Sequence, residues 1–146
     1  MPDIPKNILA PTDFSDVSNS AVAYAGKLAV ATGARLHLHH AMSGALSGKG
    51  GVGASHLGHA LDDAETEGKA KLDELLDKDE RAKLSLTSYV GLGQPADQIT
   101  EYAAKHGVDL IVMGTHGRSG FEKVWLGSVT EKVLRHASCP VLVVRQ

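Results

Sequence analysis

The stretch Asp109–Val144, DLIVMGTHGRSGFEKVWLGSVTEKVLRHASCPVLVV, decides the fold. Leu110, Ile111, Val112 and Met113 form an uninterrupted apolar run, which suits a parallel strand covered on both faces better than a half-exposed antiparallel one. Gly114 ends that run. Gly117 and Gly120 then offer positions where the backbone can take positive φ, or approach a ligand, with no Cβ in the way. Ser128 and Glu131 have the capping-box spacing, so a helix is expected to open at Gly127–Ser128 with its free N–H groups pointing back at the loop. A strand, a glycine loop and a helix N-terminus together supply unpaired backbone donors and the positive end of a helix dipole, the usual physical means of holding a phosphate. The spacing Gly114-x2-Gly117-x9-Gly127-Ser128 fits neither the Walker pattern nor the dinucleotide fingerprint.

Working outward, 146 residues suit one domain, 1–146, with a core large enough to bury most of its apolar surface. A formal charge of −2 and a pI near 6.4 give no electrostatic reason to expect nucleic acid or a membrane surface as the main partner. The opening MPDIPKNILAPTD has no charged segment leading into a long apolar one, and no stretch reaches membrane-spanning length, so a cytoplasmic protein is expected. The lone Cys139 cannot form an internal disulfide and is read as structural.

Along the chain, Lys6 to Ala10 reads as the first strand, broken by Pro11. Thr12, Asp13, Phe14 and Ser15 follow as a polar loop, and Ser15, Asp16 and Ser18 are read as caps of the next helix. That helix carries Ala21, Tyr24, Ala25, Leu28, Ala29 and Thr32 on one stripe and stops at Gly33. Ala34 to Met42 is the second strand. Alternation puts His37 and His39 on one face and His40 on the other with Leu36 and Leu38. No cysteine or tightly spaced carboxylate completes a zinc set around these histidines, so they are read as packed or hydrogen-bonded neutral imidazoles. Ser43 to Ser55, SGALSGKGGVGAS, is a low-complexity connection. Its KGGVG lacks the lysine that a variant phosphate loop needs, since Ala54 stands there. Leu57, Leu61, Ala64, Gly68, Leu72 and Leu75 mark a second amphipathic helix with a charged, solvated opposite face. Leu84 to Val90 is a third strand. Pro95 opens a further helix that turns Ile99, Tyr102 and Ala103 inward and stops at Gly107. The order βαβαβαβαβ implies right-handed crossovers and an open parallel sheet with helices on both faces.

The ordered motifs ILAPTDFSDVS, LHLHHA, HGVDLIVMGTHGRSG and LGSVTEKVLRHASCPVLVV resemble those of the universal stress protein family, in its ATP-binding subgroup, over nearly the whole chain. The resemblance implies a Rossmann-like five-stranded sheet in the order 3-2-1-4-5, with strands one and four adjacent at the switch point where ligands bind. It further implies ATP, with Mg2+ or Mn2+, as ligand. Adenosine is then expected near Pro11, Thr12, Asp13, Ala41 and Met113, where Asp13 can accept hydrogen bonds from ribose or adenine. Ala41 is smaller than the valine usual in the family, so adenine packing is expected to be looser. The phosphates are expected at backbone donors of Gly114, Gly117, Arg118, Gly127, Ser128 and Val129, with Ser128 also capping its helix. His116 and Arg118 either add charge to the triphosphate or are simply solvated.

Phosphoryl transfer needs a positioned base, and His116 and Asp13 are candidates only by location. The reading is therefore of a nucleotide-dependent regulatory module rather than an enzyme. Slow ATP hydrolysis or nucleotidyl transfer, and a nucleotide-free interaction protein, stand as the alternatives. The apolar last strand, Val141–Val144, falls at the sheet edge in that order and invites pairing with a second copy, so a homodimer is expected.

Overall fold

Apolar runs alternating with helical stripes give, in the computed structural model, ten elements over the described residues, 3–42, 54–116 and 126–145. They are β1 (Asn7–Pro11), α1 (Asp16–Thr32), β2 (Arg35–Met42), α2 (Ala54–Asp73), α3 (Lys78–Ala82), β3 (Ser85–Leu92), α4 (Pro95–Lys105), β4 (Leu110–Gly114), α5 (Ser128–His136) and β5 (Val141–Val144). The strands form one parallel sheet in the order β3-β2-β1-β4-β5. Successive strand residues point to opposite faces, and two cores follow. Ile8, Ala10, Leu36, Leu38 and Val112 meet Ala21, Val22, Ala25 and Ala29 of α1 and Leu72 of α2 on one face. Leu9, Ile111 and Met113 meet Ile99, Tyr102 and Ala103 of α4 and Val133 of α5 on the other. Among the described residues, no helix is long and apolar enough to cross a membrane.

Local details depart from the sequence expectations for identifiable reasons. β1 is shifted by one residue and includes Pro11, whose missing N–H does no harm at a strand's last position. β2 begins at Arg35, one residue later than expected. β3 continues past Val90 because Gly91 and Leu92 keep pairing with Ala41 and Met42. On α1 the buried stripe takes in Val17, Val22 and Gly26 and leaves Tyr24 49% exposed, since close approach to the sheet selects small residues. Gly33 ends that helix as expected, at φ 74°. α2 stops at Asp73, short of Leu75, and α3 follows with a capping box between Asp77 and Glu80. Residues 43–53 of the low-complexity connection lie outside the described residues, whereas Ala54 and Ser55 already belong to α2.

Asp109 makes a junction that the periodicity does not reveal. Its carboxylate accepts from the backbone N–H of Lys6, at 3.1 and 2.9 Å, and of Asn7, at 3.1 Å. Its own N–H donates to Asn7 O at 3.0 Å, so it ties the start of β1 to the entry of β4.

Candidate functional site

β1 and β4 are neighbours, yet the helices that follow them, α1 and α5, pack on opposite faces of the sheet. Beyond the carboxyl ends of the two strands this divergence leaves a crevice. A cavity of about 260 Å3 lies there.

One wall is the turn from Pro11 into α1, which is held by its own side chains. The Thr12 hydroxyl donates to Asn19 Oδ1 at 2.8 Å and accepts from the Phe14 N–H at 2.9 Å. Asp13 Oδ1 accepts from the Ser15 N–H at 2.9 Å and from the Ser18 hydroxyl at 2.8 Å. Ser15 is the N-cap of α1, as expected, its hydroxyl accepting from Ser18 N. Phe14 is thereby forced to φ 65°, a left-handed conformation rare for a large side chain. From the adjacent strand, the Thr12 N–H donates to His39 O at 2.8 Å and His40 Nδ1 donates to Thr12 O at 2.9 Å. The turn is thus preorganised against β2.

The opposite wall is the exit of β4 and the start of α5. A Cβ on Gly114 would stand 2.7 Å from Val17 Cγ1, so glycine is what lets α1 approach β4. The loop leaving β4 at Thr115 closes at Gly127, whose N–H donates to Thr115 O at 2.7 Å. There a Cβ would meet His116 Cα at 3.0 Å. Gly127 is itself the N-cap of α5, with no side-chain capping bond. This corrects the expected Ser128–Glu131 capping box: Ser128 is already helical, and Glu131 turns instead to Arg135 at 2.7 Å. In consequence the first turn of α5 presents uncapped N–H groups, with the positive end of its dipole, at the cavity. Thr130 anchors that turn, its hydroxyl donating to Gly114 O at 2.8 Å.

Of the residues expected at a site, Pro11, Thr12, Asp13, Ala41 and Met113 line this cavity together with Gly114, His116, Gly127, Ser128 and Val129. Gly117 and Arg118 lie outside the described residues. The sequence reading missed Ser18, Pro95, Ile99, Thr130 and, most notably, His39 as wall residues.

His37 and His39 share a face as alternation requires, but their environments differ. His37 Nε2 donates to Asn7 Oδ1 at 3.1 Å and its Nδ1 accepts from the Tyr102 hydroxyl at 2.8 Å. Burial, with smaller contributions from His106 and Arg35, holds its pKa below the ordinary histidine value. His39 is fully buried against the rings of Tyr89 and Tyr102, and neither of its nitrogens has a hydrogen-bond partner among the described residues. Burial, reinforced by His40 and His106, lowers its pKa to about 4. Among the described residues no group of three histidines, cysteines or acids is placed to hold a metal ion.

The family model of the universal stress proteins matches residues 5–145. The chain belongs to the universal stress protein family. Among its curated relatives, universal stress protein MJ0531 of Methanocaldococcus jannaschii is 35% identical over 97% of this chain and 82% of the relative. MJ0577 of the same organism is 31% identical over 97% of this chain and 95% of the relative. The solved structure of MJ0577 superposes with a TM-score of 0.84 at 27% identity, covering 99% of this chain and 98% of that one. A universal stress protein solved in complex with cAMP matches with a TM-score of 0.69 at 26% identity, over 98% of both chains. This universal stress protein therefore has the family's Rossmann-like sheet, and its crevice occupies the switch point of that sheet.

Proposed function

We propose that this universal stress protein binds an adenine nucleotide, ATP in the first instance, and acts in the stress response as a nucleotide-dependent regulatory module. One observation carries the reading: the uncapped N-terminus of α5 and the self-braced Thr12–Ser18 turn open onto the same cavity. An anion placed at the first would be held by helix N–H groups and dipole, while its nucleoside reaches Asp13, Ala41 and Met113. The cAMP complex of a related universal stress protein supports a nucleotide as the class of ligand. Asp13 is the sole carboxylate among the described wall residues, so a divalent cation, Mg2+ or Mn2+, would be carried chiefly by phosphate oxygens and water. Occupancy acts on a partner equilibrium only through differential affinity for two states. The natural second state involves another copy of the chain. β5 is an edge strand of four half-buried apolar residues, Val141–Val144, and edge-to-edge pairing would cover it. A cytoplasmic location belongs to the same reading.

Gly127→Val tests the phosphate assignment. The added side chain presses on His116 and crowds the first turn of α5. ATP affinity measured by calorimetry should fall at least tenfold, with the far-ultraviolet circular dichroism unchanged. Undiminished affinity in a folded variant would remove phosphate from this end of the cavity.

A further inference from the structure

Among the described wall residues, His39 is the one with buried side-chain polar atoms left unpaired. A neutral imidazole offers one donor and one acceptor, and buried polar atoms are nearly always paired. Here both ring nitrogens are buried without a partner among the described residues. Two of the neighbouring polar groups are committed elsewhere. The Tyr102 hydroxyl lies 2.8 Å from His37 Nδ1, and His40 Nδ1 is on Thr12 O. The backbone of His39 is pinned by its carbonyl, which accepts the Thr12 N–H, so the residue cannot retreat. The cavity it lines also carries the apolar Pro11, Ala41, Ile99 and Met113. Apolar walls with a few polar groups suit a flat heteroaromatic ring whose edge carries hydrogen-bonding atoms. It does not suit an anion, because a buried imidazole beside other histidines stays uncharged.

We propose that His39 determines which base the cavity accepts, by making a hydrogen bond to the edge of the purine of a bound nucleotide; this rests on the nucleotide reading given above. The ring is fully covered in this structure, so the contact forms by rotation of the imidazole about its terminal torsion, which is broad for a bond of this type. Ala41, two residues along the same face of β2, leaves room above it because it carries only a methyl group. His39 is thus a specificity-determining residue, and Ala41 permits its access.

The test is calorimetric titration of ATP and CTP into the wild-type chain, His39→Leu and His39→Gln, with ring nitrogen shifts of 15N-histidine-labelled wild type recorded with and without ATP. The expected results are binding of ATP in preference to CTP by the wild type and at least a tenfold collapse of that preference in His39→Leu. His39→Gln should recover part of it, and ATP should displace a His39 ring nitrogen resonance. An unchanged preference in a folded His39→Leu overturns the role of His39 while leaving nucleotide binding intact. If that variant does not fold, an unmoved His39 resonance in ATP-saturated wild type overturns it equally. A wild type that binds neither nucleotide overturns the underlying site reading, and the proposal falls with it.

Discussion

Acidification should destabilise this protein through His39, by an amount that follows from its surroundings. In the unfolded chain the residue titrates near 6.5, and in the fold at about 4. The folded value is depressed, so between these limits the unfolded state binds more protons, and stability rises with pH across that window. The loss begins as pH drops below about 6.5 and is complete below about 4. Linkage with these two values gives a loss of about 2 kcal/mol between roughly pH 7 and pH 5. For a chain of this size that is a fall in Tm of roughly 4–8 °C. Other groups titrate too, His37 in the same sense. The informative quantity is therefore the difference between wild type and His39→Leu in urea unfolding at the two pH values. The variant should lack about 2 kcal/mol of the wild type's acid sensitivity. It should also be no less stable at neutral pH, since it no longer buries two unpaired nitrogens. Equal acid sensitivity in both proteins would mean that His39 is not buried uncharged, and would refute the reasoning.

Further outcomes follow from the junctions around the crevice. Asp109→Ala removes the acceptor for the Lys6 and Asn7 N–H groups, and should cost about 1–3 kcal/mol in denaturant unfolding with faster amide exchange at the start of β1. Gly114→Ala drives a methyl group to 2.7 Å from Val17 Cγ1 and should destabilise by about 1–3 kcal/mol. Adding Val17→Ala should restore only part of this, because the Val17 backbone also stands 3.2 Å from the new atom.

Much of the fold was legible because its signals are local and mutually consistent. Leu110–Met113 reads as a buried parallel strand, and Gly33 as a left-handed stop, from the residues themselves. Pro95 at the start of α4 is equally plain. The strand order was not legible from periodicity. It came from the family resemblance, because a crossover's landing place is decided by packing that no single segment records. α3 was hidden since five residues are too few to show a period and the charged run around Asp77 reads as surface. At the crevice, small and polar residues at loop positions announced the walls. What alternation could not announce was the contrast between His37 and His39. It placed both imidazoles on one face, but which of them finds partners depends on Asn7 and Tyr102, which are 30 and 65 residues away from His37. The cap of α5 was misassigned for a related reason. Ser128 and Glu131 have the right spacing, yet Gly127 takes the N-cap position through its bond to Thr115 O.

The central claim, that a nucleotide spans from the Thr12–Ser18 turn to the first turn of α5, is tested most directly by following backbone amide resonances during titration with ATP. Saturable shifts at Thr12, Asp13 and Ala41 together with Gly127, Ser128 and Val129 are the predicted result. No shift at saturating nucleotide, or shifts confined to surfaces away from both groups, would contradict it.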